Sequence, residues 1–295
     1  MSLRSKVALA LVTMYIAWGT TYLAIAYVIQ TMPDLMSMGV RFLAAGAIQY
    51  LLVSLVSGAA QFRVTPRQLR NSVLLGIFML AAGIGAVSTA EHVVPLWTAL
   101  LRISDGDRPS RMTLIGIGAG FAGLVIVMQP NSTIPREGAN GIHMTLLMLV
   151  LIAGNIMWSV GSFLTPRIDK PGPPLVLTTY EMLAAGVALI VVGMCRGQRL
   201  SDLTHGSATS WAAWWYLVLI GSVVGYTTYN WLLGHAPISL VATYSYVNPV
   251  VALVLAAVLF SEPIGTRIVF GGALILSAVA LVAASERVTP SRAAG

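Results

Sequence analysis

The stretch STAEHVVPLWTALLRI, Ser88 to Ile103, breaks an otherwise regular succession of long apolar segments. From Val93 to Ile103 only 11 apolar-rich residues precede the next cluster of charges. A helix of that length reaches about 16 Å, roughly half of a 30 Å hydrocarbon core. Whether it counts as a crossing decides the topology. With ten crossings and the N-terminus inside, the inner side holds 12 Lys and Arg residues and the outer side 4. With nine crossings the division is 9 against 7. The bias of basic residues toward the cytoplasm favours ten, with 93–103 as a truncated fourth span and both termini cytoplasmic.

The other nine spans read at 7–29, 36–57, 70–90, 112–129, 144–165, 175–195, 212–233, 238–260 and 264–284, and each is long enough to cross the core as a helix. The first, following MSLRSK, is too long for a signal segment and reads as a retained helix. Of 295 residues, 57% are hydrophobic and 9% charged, too few charges to cover a water-facing surface. The fold class is therefore an all-α membrane protein embedded in a lipid bilayer. The excess of 17 basic over 10 acidic residues lies in the short gaps between spans, without interleaved aromatics, so nucleic acid is not an expected partner. A single cysteine, Cys195, excludes an internal disulfide and a cysteine zinc site. Glu91 and His92 stand without convergent partners, and there is no HExxH and no phosphate-binding glycine loop. No metal or cofactor is expected. Ser162, after Gly161, has no convincing His or Asp partner, leaving an intramembrane enzyme as a remote alternative.

Comparing the chain with itself reveals a duplication. Trp18, Pro33 and the run RFLAAG at 41–46 precede Trp158, Pro173 and EMLAAG at 181–186 by one constant offset in numbering, 140. LLG at 74–76 answers LIG at 219–221, and the offset is 143 at His92 and His235. Beyond, Pro95 answers Pro249 and Gly118 answers Gly272 at an offset of 154. The jump from 143 to 154 marks a segment that the second half has and the first lacks: APISLVATYSYVNP stands where the first has only VVP. The chain divides into five-helix repeats at 1–129 and 130–295. An odd number of crossings sets them in opposite orientations, a signature of secondary transporters that bind solute at the midplane.

YIAWGTTYLAI at 15–25, GVRFLAAG at 39–46, TAEH at 89–92, YEMLAAG at 180–186 and ATYSYVNPVVALVLA at 242–256 together resemble the EamA family of the drug/metabolite transporter superfamily, in particular its YedA-like bacterial inner-membrane permeases. The resemblance covers nearly the whole chain. It implies ten helices in two inverted repeats, a bacterial inner-membrane location and movement of small metabolites, amino acids or drug-like solutes. The family's full fourth helix helps line the central cavity; this chain departs from it there.

Polar groups inside spans are costly and need an account. Arg41 lies in the outer half of the second span and Glu181 in the inner half of the seventh, so repeat equivalence does not pair them, and Glu91 is the better partner for Arg41. Trp18 and Tyr22, Tyr226 and Asn230, and Tyr244 and Asn248 are each one helical turn apart, and Asn155, Ser159 and Ser162 share a face beside Trp158. Such a set would give a cavity with flat apolar walls and a few orienting hydrogen bonds; equally, it could serve interhelical bonding and interfacial aromatic belts. The candidate substrate-binding residues are thus Trp18, Tyr22, Arg41, Asn155, Trp158, Glu181, Tyr226, Asn230, Tyr244 and Asn248. Pro249 predicts a kink. Gly116, Gly120 and Gly123 share one side of the span 112–129, for packing within a monomer or for a homodimer seam. Two functional expectations follow: a permease or exporter moving a small organic solute by alternating access, or a non-transporting paralogue whose fourth helix is incomplete.

Overall fold

The computed structural model describes residues 1–84, 110–128, 141–260 and 265–285. The expected short span 93–103, with Glu91 and His92, lies outside these residues. Helix α1 is Leu3–Ile29, started by Ser2, whose hydroxyl accepts from the Ser5 amide, and α2 is Asp34–Ser57. Helix α3 opens as Pro66–Leu75, widens into a π-helical stretch at Gly76–Ala81 and resumes as Ala82–Ile84. Its start is a reciprocal cap between Thr65 and Gln68 with Pro66 in the first turn, where a missing N–H costs nothing. Then come α4 (Arg111–Met128), α5 (Gly141–Leu164) and α6 (Pro174–Cys195). Helix α7 runs from Ala208 to His235 with a second π-helical stretch at Leu217–Tyr226. The single turn Ile238–Val241 leads into α8 (Tyr244–Phe260), and α9 is Thr266–Ser285.

Six of these segments are long and apolar enough to cross a membrane by length and composition among the described residues. Their outward faces carry bare aliphatic and aromatic side chains: Leu55, Val56, Val258 and Phe270 are each at least 72% exposed. In water such a surface would aggregate; in lipid it is solvated. The protein is an all-α, multi-pass membrane protein, as its composition requires.

The span expected over 238–260 is interrupted at Ala242 and Thr243, while Pro249, where a kink is expected, stands inside the continuous helix α8. Next to the break, Thr243 and Ser245 return their hydroxyls to the carbonyls of Leu240 and Ala242. Side-chain oxygens of this kind compete for helix carbonyls and give the turn a local alternative.

Repeat-equivalent elements resemble one another in detail. Both π-helical stretches include the matched glycines Gly76 and Gly221. Helices α2 and α6 both start after a proline, Pro33 and Pro173, and end close to a glycine of positive φ, Gly58 at 88° and Gly197 at 81°. They also lie against each other, antiparallel. A Cβ on Gly39 would stand 2.7 Å from Ile190, one on Gly186 2.8 Å from Leu43, and one on Gly46 2.9 Å from Leu183. The position rises by four and then three along α2 while it falls by four and then three along α6. Helices α4 and α9 follow the same rule, with Gly116 on Val282 and Gly123 on Ile275. Close backbone approach is what holds helices together where lipid offers no hydrophobic gain for association. The face bearing Gly116, Gly120 and Gly123 is thus used inside the chain, against α9 and the Tyr246 ring, while Gly118 faces open space.

One buried amide ties three helices. Gln49 on α2 donates to Thr227 Oγ1 on α7 at 2.6 Å, and its Oε1 accepts from Thr178 on α6 at 3.0 Å. Gln49→Ala is expected to lower stability by about 1–3 kcal/mol, since it strands the Thr227 oxygen and leaves a void. A reduced thermal midpoint in detergent would register this; an unchanged midpoint would contradict the role.

Candidate functional site

Where the two halves meet, five aromatic rings come together. Trp18 from α1 and its repeat equivalent Trp158 from α5 touch edge to face, with centroids 5.7 Å apart. Trp18 also meets Tyr229 and Tyr244, each at 5.0 Å, and Trp158 meets Tyr229 at 5.4 Å and Tyr226 at 6.3 Å. Each indole rests on a glycine of the opposite half: Trp18 on Gly225, Trp158 on Gly83. The Trp18 Nε1–H donates to the Gly221 carbonyl at 3.0 Å, inside the π-helical stretch of α7. The wider π turn sets backbone carbonyls out of the ordinary ladder, which is why such stretches recur at functional sites. The Trp158 Nε1–H donates to the Tyr229 hydroxyl at 3.1 Å, and that hydroxyl also bonds Ser162. Trp158 is the only partly buried ring of the five; the other four are buried.

Of the residues singled out from sequence, Trp18, Trp158, Tyr226 and Tyr244 are therefore neighbours. Tyr229 was missed. It lies three residues beyond Tyr226, on the same face of α7 by helical spacing, and that i,i+3 step was the available signal.

The acid and the base of the paired helices are held apart. Arg41 is buried on α2, donating from Nε to Ser222 Oγ at 2.9 Å and from Nη1 to the Met38 sulfur at 3.3 Å. Glu181 is fully buried on α6, and its Oε2 accepts from Asn230 Nδ2 at 3.1 Å. Both attach to α7, eight residues apart, which is about 10–12 Å along a helix axis. The expected partner Glu91 is outside the described residues. The matched glycines meet these two residues differently: a Cβ on Gly76 would stand 2.2 Å from the Glu181 carbonyl oxygen, and one on Gly221 2.9 Å from the Arg41 guanidinium.

Of the remaining candidates, Asn155 and Asn248 are buried and Tyr22 is half-buried. Asn155 is 2% exposed, one turn before Ser159 and Trp158. Tyr22 lies one turn beyond Trp18, and Asn248, 1% exposed, one turn beyond Tyr244. Among the described residues several enclosed polar atoms have no hydrogen-bond partner: the Tyr22 hydroxyl, Ser159 Oγ, Glu181 Oε1, Asn230 Oδ1 and both polar atoms of Asn248. Native interiors leave few such atoms, because each costs about 1–3 kcal/mol. Their concentration here marks a place with unfilled bonding capacity. Two surface grooves, of about 500 and 640 Å³, lie elsewhere, at Lys6, Pro173 and Trp231 and along Ile77 and Val191.

The loops before α6 and before α2 are tied to the opposite half by matched fastenings. At the end nearer the N-terminus, Gln68 of α3 donates to Asp169 Oδ1 at 3.1 Å, and Asn71 donates to the Asp169 carbonyl at 2.7 Å. The loop before α6 is thereby fixed to the other half. Lys170, in the same loop, has its pKa lowered by burial, while the negative charge of Glu181 acts the other way. At the far end, Thr31 in the loop before α2 donates to Ser210 Oγ at 2.8 Å, and the Ser207 amide donates to Thr31 at 3.0 Å. Ser207 caps α7 as Thr65 caps α3.

The class these features define is a polytopic helical membrane protein whose halves meet over a buried aromatic and amide centre fastened at each end. Comparison with known proteins names it. The chain belongs to the EamA-like transporter family, whose signature matches residues 145–284. It is 33% identical to the inner membrane transporter YedA of Escherichia coli, over 96% of this chain and 92% of that one. It is 26% identical to the transporter YyaM of Bacillus subtilis, over 88% of each. A further relative, 24% identical over 88% of this chain and 89% of its own length, is the Escherichia coli protein named "Probable amino-acid metabolite efflux pump". A crystal structure of another protein, 19% identical, superposes over 95% of this chain and 97% of its own with a TM-score of 0.75, which shows the fold.

Proposed function

We propose that this membrane transporter moves a small organic metabolite, an amino acid or drug-like amphipath, across the bacterial inner membrane by alternating access. In this reading the two halves are inverted five-helix repeats and both termini are cytoplasmic. The observation that carries it is the group of enclosed, unpaired polar atoms bordering the ring cluster between the halves. A purely structural centre would satisfy those atoms with neighbouring side chains; a solute site leaves them for its guest. The antiparallel pairing of α2 with α6 and of α4 with α9 supports inversion, and the fastenings at opposite ends supply one gate each. Opening one while keeping the other is the motion that alternating access requires.

Asn248 separates function from stability. Neither of its polar atoms bonds another described residue, so Asn248→Ala removes no observed bond of the fold. The variant is expected to keep the wild-type thermal midpoint within about 0.5 kcal/mol. Solute counterflow in proteoliposomes is expected to fall at least about tenfold, equivalent to about 1.4 kcal/mol of lost solute stabilisation. Trp158→Ala is expected to abolish flux. A non-transporting paralogue, the second reading, is favoured by the shortfall of the first repeat, which has VVP where the second has APISLVATYSYVNP. Absence of counterflow for every metabolite in a broad panel, from well-folded protein, would establish it instead.

A further inference from the structure

We infer that the solute is held by a positively charged ammonium group, at Glu181 and Asn230 beside the aromatic rings; this rests on the transporter reading above. The hydrogen-bond inventory around Glu181 is unbalanced in one direction. Its Oε2 takes a bond from Asn230 Nδ2, but Oε1 has no donor among the described residues. The neighbouring Tyr226 hydroxyl lies 3.9 Å from the Met79 sulfur and also interacts with the Glu181 carboxyl group. The same Asn230 amide nitrogen reaches the Tyr226 carbonyl at 3.5 Å, and its oxygen Oδ1 also has no donor. Two neighbouring acceptors, one of them on a carboxyl group, are thus enclosed without a well-formed hydrogen bond among the described residues. Glu181 is 0% and Asn230 5% exposed, so bulk water does not reach either.

A partner that brings its own N–H or O–H groups would satisfy both Glu181 Oε1 and Asn230 Oδ1. An ammonium group brings three, with a charge that matches the carboxylate. The walls add to this preference. Tyr226 belongs to both the acceptor site and the ring cluster, through Trp158 and Tyr229 at 6.3 Å each. Aromatic faces attract cations and do so more strongly where water is excluded.

Two cations face this region from other elements. Lys170 on the loop before α6 is the cation that senses Glu181, and it is about half-buried at one end of the centre, among the loop contacts to α3. Arg41 is engaged with Ser222, about 10–12 Å further along α7. One α-amino acid, whose two charges are only two bonds apart, would not span from Glu181 to Arg41. Recognition therefore depends on the amine, and a carboxylate on the solute is dispensable. The rings now fill the centre by packing on one another, so the solute replaces a ring contact; Trp158, partly exposed, is the ring placed to yield.

Three probes of similar size isolate the charge: 2-phenylethylamine, 2-phenylethanol and 3-phenylpropionate. Binding to the full-length protein in detergent is followed by tryptophan fluorescence and by the shift in thermal midpoint. The amine is expected to bind at least tenfold more tightly than the alcohol, with the acid weakest. Glu181→Gln is expected to weaken amine binding tenfold or more and leave the alcohol unchanged. Asn230→Ala, which keeps the carboxyl, is expected to give a smaller loss of the same preference and serves if Glu181→Gln fails to fold. Equal binding of amine and alcohol, tightest binding of the acid, binding of none of the three, or retention of the preference in both variants would each overturn the inference. Amine binding without counterflow would instead overturn the transport reading, and counterflow of a neutral or acidic solute without amine preference would spare transport and remove this site.

Discussion

Gly76→Ala is expected to be among the most damaging single-carbon changes in this protein. The added Cβ would lie 2.2 Å from the Glu181 carbonyl oxygen and 2.7 Å from its Cα. These are main-chain atoms of α6, so no rotamer change can make room. Overpacking in well-formed cores costs about 1–3 kcal/mol and more when backbone must shift; here about 3 kcal/mol or more is expected. Displacing α6 would also move Glu181, so solute binding should fall together with stability. Gly118→Ala is the matched control. No atom stands within 4 Å of its added carbon, and replacing glycine in a helix gains up to about 1 kcal/mol. A thermal midpoint that drops for Gly76→Ala and holds or rises for Gly118→Ala bears out the seam; equal behaviour of the two would refute it.

Trp18→Ala should be comparably severe and more informative about the centre. The indole touches Trp158, Tyr229 and Tyr244 and donates to the Gly221 carbonyl, so its removal opens a void bounded by rings and strands a buried acceptor. Truncating a large buried aromatic costs about 3–5 kcal/mol. Loss of flux and a clear fall in thermal midpoint are expected together. Trp18→Phe restores much of the ring contact but not the N–H, and should recover part of the stability, leaving about 1–3 kcal/mol for the unpaired carbonyl. Alanine and phenylalanine variants of equal stability would mean that the hydrogen bond to the π-helical carbonyl contributes nothing.

Much of the helical layout was legible because lipid imposes one length and one polarity on every crossing. The family was legible from combined motifs such as GVRFLAAG and ATYSYVNPVVALVLA. The duplication was legible because Trp18, Pro33 and the LAAG run kept a fixed offset. The site was legible only in part. Helical spacing selected Tyr226, Asn230, Tyr244 and Asn248, but spacing reports which residues share a face and not what stands opposite. The meeting of Trp18 with Trp158, and of Arg41 with Ser222 rather than with an acid, depends on how separate helices dock. The π-helical stretches were invisible for a similar reason. They arise where Gly76 and Gly221 admit the neighbouring helix, and no local propensity encodes them. The break at Ala242 and Thr243 was not legible because hydroxyl competition for helix carbonyls gives only a weak local signal, whereas Pro249, where a kink is expected, stands inside α8.

The reciprocal seam of α2 and α6 has an implication for ancestry. Leu43 meets Gly186 and its counterpart Leu183 meets Gly46, so each helix offers the other the same small and large features. Self-complementarity of this kind is the defining property of a two-fold dimer interface. On the proposed inverted-repeat reading, a single repeat meeting its own copy would do so through this surface, and joining two copies in one chain frees each from having to serve both roles. Position 41 could keep an arginine while its twin at 181 carried a glutamate, and the tyrosines of the ring cluster could accumulate on the second copy alone. The seam is where the two halves are alike, and the centre is where they differ.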